Sequence, residues 1–157
     1  MDDLTIRFGI QELISDYAER IDEDRLEEWP DLFADPCRYL VISRANHEAG
    51  MRQGVMYAAT RGMLLDRVFS IRRANLFEPH RYRHVVGPIR LKTVEGSVAV
   101  AHSHFVVARI MQDGVTTLFA TGRYLDRIDI STSPYRFNER IVVLDSDKID
   151  TLLAIPL

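Results

Sequence analysis

A single switch of hydrophobic period governs how this chain can fold. Up to about residue 73 the apolar residues recur at helical spacing, and from Arg81 to residue 145 they alternate or run in extended stretches. Residues 4–22 read as the clearest helix, with Ile10, Leu13, Ile14, Tyr17, Ala18 and Ile21 on one face and acidic residues with Arg20 on the other. A second, shorter helix is expected from Asp24, a natural cap, through Leu26, Trp29, Leu32 and Phe33, with Pro30 kinking or breaking it. Asp35-Pro36 reads as a turn, residues 38–42 as a strand, and residues 46–54 as a polar loop. Residues 57–73 complete the helical part, their stripe formed by Met56, Met63, Leu64, Val68 and Ile71.

Strands are expected at 83–86, 89–94, 98–110, 116–130 and 136–145, with Glu95-Gly96 and Asp113-Gly114 as hairpin turns and residues 131–134 as a third connection. Three helices followed by an antiparallel meander predict an α+β fold with helices on one sheet face. Strands this long exceed the common length of about 5–6 residues and imply a strongly curved, bulged sheet. Closed by helices, such a sheet makes a cone, and a cone holds a pocket. No repeat, linker or low-complexity segment divides the sequence, so residues 1–157 are expected to form a single domain.

Composition enters as exclusion. The only cysteine, Cys37, rules out an internal disulfide framework, a Cys-based zinc knuckle and a cysteine-ligated iron–sulfur cluster; it reads as a small core residue. A net charge of −3 leaves no footprint for nucleic acid. No apolar run nears the roughly 20 residues a bilayer requires, and Met1-Asp2-Asp3 is acidic where a signal peptide is basic, which predicts no membrane and a cytoplasmic protein. An acidic start and an Arg-rich stretch at 61–92 hint at packing between subunits.

Several side chains are candidates for chemistry. Alternation puts His102 and His104 on one strand face, about 7 Å apart. They read as hydrogen-bonded sheet histidines, as zinc ligands if His84 joins them, or as acid–base groups. In a cone pocket, Tyr17, His84 and His102 with Asp16 would form the acid–base set of a cofactor-independent dehydratase or isomerase, although Tyr17 also reads as a core aromatic. On residues 78–84, Pro79 favours an extended start, and alternation sends Arg81 and Arg83 to one face and His80, Tyr82 and His84 to the other. A solvated edge strand is the plainer reading. Glycine spacing matches no phosphate loop.

Glu28-Trp29-Pro30-Asp31-Leu32-Phe33, Asp66-Arg67-Val68, the block Arg73-Ala74-Asn75-Leu76-Phe77-Glu78-Pro79-His80-Arg81-Tyr82-Arg83-His84 and the tail Asp150-Thr151-Leu152-Leu153-Ala154-Ile155-Pro156-Leu157 together resemble the small (β) subunit of aromatic-ring-hydroxylating dioxygenases. The resemblance covers nearly the whole chain. It implies a cone-shaped NTF2-like fold, as in scytalone dehydratase and ketosteroid isomerase: three N-terminal helices packed on a strongly curved antiparallel sheet. It further implies a homotrimer of β subunits that supports three α subunits as an α3β3 hexamer. The α subunit of such complexes carries a Rieske [2Fe–2S] cluster and a mononuclear iron; the β subunit is mainly structural, with no cofactor, metal or catalytic residue of its own. The wording of residues 81–84 is closest to relatives serving monocyclic aromatic acids such as terephthalate, anthranilate or salicylate. On this reading Arg81, Arg83, Leu153 and Pro156 are expected at subunit interfaces, and truncation after Asp150 should weaken assembly. The competing expectations are the free-standing dehydratase or isomerase, and a pure ligand-binding module that uses the same pocket.

Overall fold

The computed structural model describes residues 2–73, 77–148 and 153–157. Helix α1 (Asp3–Asp22) starts where the Asp2 carboxylate accepts the Thr5 amide at 2.7 Å, and buries Ile6, Ile10, Leu13, Ile14, Tyr17 and Ile21 along its apolar stripe. The second helical segment is a 3-10 helix over Leu26–Leu32 that contains Pro30. Asp24 does not cap it: Arg25 holds that position, Asp24 has a φ of 57°, and its carboxylate pairs with Arg72 instead.

Strand β1 (Phe33–Ser43) begins earlier than expected and runs straight through Asp35-Pro36, a cis peptide lying in the register shift between Phe33 and Arg38. The expected polar loop opens with a short helix, α2 (Arg44–Glu48), whose cap is the Ser43 hydroxyl accepting from the Asn46 amide. The start of the expected third helix is instead a strand, β2 (Met56–Ala58), paired antiparallel to β1; α3 spans Arg61–Arg73. Ala74, Asn75 and Leu76 of the family-like block, and Asp150, Thr151 and Leu152 of the tail, lie outside the described residues.

The meander follows as β3 (His80–Val86), β4 (Arg90–Glu95), β5 (Val98–Met111), β6 (Thr116–Asp129) and β7 (Arg136–Leu144). The strand order is β2-β1-β7-β6-β5-β3, with β4 also on β5. The sheet is not wholly antiparallel, because β1 pairs with β7 in parallel. Apolar period reports which face is buried but not the direction of a neighbour, so this pairing carries no sequence signal. Register shifts leave an extra residue in β6, Phe119 opposite Val107/Ala108, and in β7, Asn138 opposite Arg127/Ile128, and bend those strands. Gly122 sits on the inner face of the bend, where a Cβ would collide with the Val143 carbonyl oxygen.

The core lies between α1, the 3-10 helix and the inner sheet face. A small second cluster of Leu40, Ile42 and Val143 packs on the outer face, with Leu125 and Ile141 beside it. No described helix is long and apolar enough to cross a membrane.

Candidate functional site

An aromatic cage fills the cone. Tyr17 from α1 meets Trp29, Phe33, Tyr124 and Phe137 edge-on, with ring centroids 5.8–6.4 Å apart, and Tyr39 packs against Trp29 at 5.2 Å. Inside the cage the wholly buried Arg140 guanidinium lies 3.9–4.2 Å from the ring centres of Tyr17, Tyr124 and Phe137. Its Nε and Nη2 make a bidentate pair with the Asp126 carboxylate at 2.8 and 2.7 Å. Burial raises the Asp126 pKa against the pull of Arg140. Burial also opposes the Arg140 charge, but the Asp126 carboxylate outweighs it and holds the guanidinium above its ordinary value.

Residues 153–157 thread into the same space and are buried. The Tyr17 hydroxyl donates to the Leu157 backbone oxygen at 2.5 Å. The Tyr39 hydroxyl reaches that oxygen at 3.1 Å and accepts the Leu157 amide at 3.3 Å. Burial pushes the Tyr17 pKa up to about 12 and those of Tyr39 and Tyr124 well above the usual tyrosine value, so all three are neutral donors at physiological pH.

The third interior feature joins the end of α1 to β3. The Asp22 carboxylate accepts the His84 backbone amide at 2.8 Å and lies 2.6 Å from His84 Nδ1, both groups being buried. His84 Nε2, also buried, has no hydrogen-bond partner among the described residues.

The candidate acid–base set is therefore not assembled. Tyr17 and His84 face the interior, Tyr17 as a satisfied core aromatic. His102 and His104 share a face, but it is the outer one: their neighbours Ala101, Ser103 and Phe105 are the buried positions of β5. Strand alternation puts His84, opposite Val107, on the inner face, so it is not a third zinc ligand beside them. Asp16 lines a surface groove with Phe8, Gly9 and Tyr135 rather than the cone. The space that a dehydratase would use is taken by the chain's own side chains.

The expected interface residues divide. Arg81 and Arg83 are exposed on β3 at the sheet edge, and Tyr82 and His84 are buried at the alternate positions. Leu153 and Pro156 are buried within this chain, so the described part of the apolar tail already has cover there. The acidic start and the Arg-rich stretch also pair within the chain. Arg72 forks across Asp24 and Glu27, Arg61 meets Asp31 at 2.6 Å, and Arg83 lies 3.6 Å from Glu23.

Sequence reading missed Arg140, Asp126, Tyr39 and Asp22. A signal existed for the first two: both fall in phase with the inward-facing Tyr124, Ile128 and Val142, and a charge at an inward strand position implies a buried partner.

No three His, Cys, Asp or Glu side chains among the described residues come together as a metal-binding group. A Rieske centre takes two Cys and two His ligands, and the sole thiol, Cys37, is buried and pushed up to about 11, mainly by that burial. The donor set of this chain does not fit that cluster.

Comparison with known proteins places the chain in a family. Residues 17–151 match the family model for the ring-hydroxylating β subunit. The β 2 subunit of the terephthalate 1,2-dioxygenase terminal oxygenase component from Comamonas sp. is 42% identical over 90% of this chain and 92% of its own length. The anthranilate 1,2-dioxygenase small subunit of Burkholderia cepacia is 30% identical over 99% and 97%. A crystal structure assigned to the β subunit of an aromatic-ring-hydroxylating dioxygenase from Novosphingobium aromaticivorans superimposes with a TM-score of 0.90 at 38% identity, covering 98% of both chains. An NTF2-like protein of cystatin-like fold from the same organism superimposes at 0.69 and 23% identity over 92% and 85%, a likeness of fold alone. The chain thus belongs to the ring-hydroxylating dioxygenase β-subunit family: it is the β subunit, of NTF2-like fold, of an aromatic-ring dioxygenase terminal oxygenase, and the naming of that family as a subunit implies an α partner.

Proposed function

We propose that this chain is the non-catalytic scaffold of its oxygenase, a single domain that forms a β trimer on which three α subunits sit as an α3β3 hexamer. The Rieske cluster and the mononuclear iron belong to α in this reading. The observation that carries it is the interior: the cone is packed with the aromatic cage, the Asp126–Arg140 pair and residues 153–157, leaving a binding surface rather than a reaction chamber. The exposed guanidinium groups of Arg81 and Arg83 on an edge strand suit an interface that makes forked hydrogen bonds to carboxylates. The names of the terephthalate and anthranilate relatives support a monocyclic aromatic acid as the substrate of the complex. A reducing cytoplasm suits the free thiol of Cys37.

Co-expression with the α chain encoded beside it, followed by native mass and iron analysis, tests the proposal. Equal α and β stoichiometry near six subunits, with iron lost whenever α is omitted, is expected. An iron-free β assembly that ignores α would overturn it.

A further inference from the structure

Three cations on the outer face of the sheet enter no ion pair among the described residues: Arg90, Lys92 and Arg123. Cross-strand register sets Arg90 beside His102 and Arg123 beside His104, so a basic row crosses β4, β5 and β6. Lys92, the extra residue of the β4 register shift, adds to it; after burial, its charge and that of Arg123 lower the His102 pKa. Glu139, a carboxylate of the same face, is already taken by Arg38 at 2.8 Å. The row ends in an apolar patch, where Val85 lies opposite Val106 and Leu118 opposite Ala108, with Val85, Val106 and Leu118 all exposed. Unpaired like charges beside exposed apolar side chains suit a surface that meets an acidic, partly apolar partner.

Helix α1 carries the complement. Leu4, Phe8, Glu12 and Asp16 follow one another at i, i+4 spacing on its solvent side; Leu4 and Phe8 are largely exposed, and neither carboxylate has an ion pair or hydrogen bond among the described residues. Order and spacing both match. With Phe8 placed on Val106, Glu12 lies about 6 Å further along the helix and the His104–Arg123 pair about 7 Å further along β5; Asp16 lies about 12 Å along, and the His102–Arg90 pair about 13 Å. Because α1 packs on the inner face of its own sheet, this stripe reaches an outer face only on another copy. We propose that α1 of one copy docks on the outer face of β4, β5 and β6 of a second copy, with Leu4 and Phe8 on the valine patch and Glu12 and Asp16 on Arg123 and Arg90. The two surfaces differ, so the contact is head-to-tail, and a threefold rotation closes it into a ring. The inference rests on the β-trimer reading above and names the surfaces that build the trimer.

Cross-linking of the full chain carrying Glu12→Cys and Arg123→Cys with a short bis-maleimide, with and without the co-expressed α chain, tests this; the native thiol of Cys37 is buried. Covalent trimers on a denaturing gel are expected, and none from either single variant. In native mass measurements, Glu12→Arg with Asp16→Arg should weaken self-association at least about tenfold, as should Arg90→Glu with Arg123→Glu, because each sets like charges against one another. Combining all four substitutions should restore it. A native trimer that yields no covalent product, or that both charge reversals leave intact, overturns the docking while the trimer stands. Covalent products that stop at the dimer support the contact and overturn the trimer. A chain that does not self-associate, alone or beside α, overturns both. Where the charge reversals fail to fold by circular dichroism, the cross-link decides.

Discussion

At Arg140 the fold keeps a charge where an apolar side chain would cost less. The guanidinium is wholly buried, forked onto Asp126 and sandwiched by three rings. Such a pair is poor evidence of stability, yet breaking it leaves an uncompensated charge. Asp126→Ala should therefore cost about 3–5 kcal/mol, read as a lower denaturation midpoint, whereas Asp126→Leu combined with Arg140→Met should recover most of that loss. His102 makes the second residue-scale prediction. Half-burial, with Lys92 and Arg123 nearby, lowers its pKa below the ordinary histidine value, so the unfolded chain binds a proton more readily than the folded one. The stability it contributes is present above the unfolded histidine pKa, near 6.5, and is lost as pH falls through the lower folded value. His102→Gln should flatten the decline of Tm between pH 7 and pH 5, and an unchanged slope would remove His102 from that account.

At the scale of elements, two helical glycines have opposite meanings. Gly9 of α1 lies against the Tyr135 ring, where a Cβ would collide with the ring edge, so this helix is docked through a side chain that is absent. Gly62 of α3 faces open space, with Thr60 Oγ1 its nearest neighbour at 3.7 Å. Gly9→Ala should destabilise, while Gly62→Ala should stabilise by about 0.4–1 kcal/mol through a stiffer unfolded chain; thermal melts of the two variants check the signs. The elements themselves were largely legible. α1 and the long strands β5, β6 and β7 carry clean periods, and the Glu95-Gly96 and Asp113-Gly114 turns sit where glycines with positive φ are found. What escaped has physical causes. β2 is three residues long, too short for any period, and its Met56 fits a helical stripe equally well. The buried tail was read as an interface because apolar residues demand cover without saying whose. Inward-facing His84 was legible from alternation, but its partner Asp22 was not, since helix docking rather than sequence spacing brings the two together.

For the whole molecule, assembly should depend on charge at the sheet edge. The double variant Arg81→Glu with Arg83→Glu should keep the monomer folded, since both side chains are exposed, yet lower the native mass of the co-expressed complex. Retention of the full complex in light scattering would take β3 out of the interface. The parallel seam between β1 and β7 has a different consequence, one of timing. On the ribosome β1 emerges first and then waits for everything between Ser43 and Arg136, about 5–20 s at about 5–20 residues per second. Throughout that delay Tyr39, Leu40 and Val41 have only the short β2 as a strand partner, and Ile42 lies beyond its register. The sheet closes last at its most apolar joint, so the nascent subunit is most exposed to mispairing and to chaperone capture just before its final strand arrives.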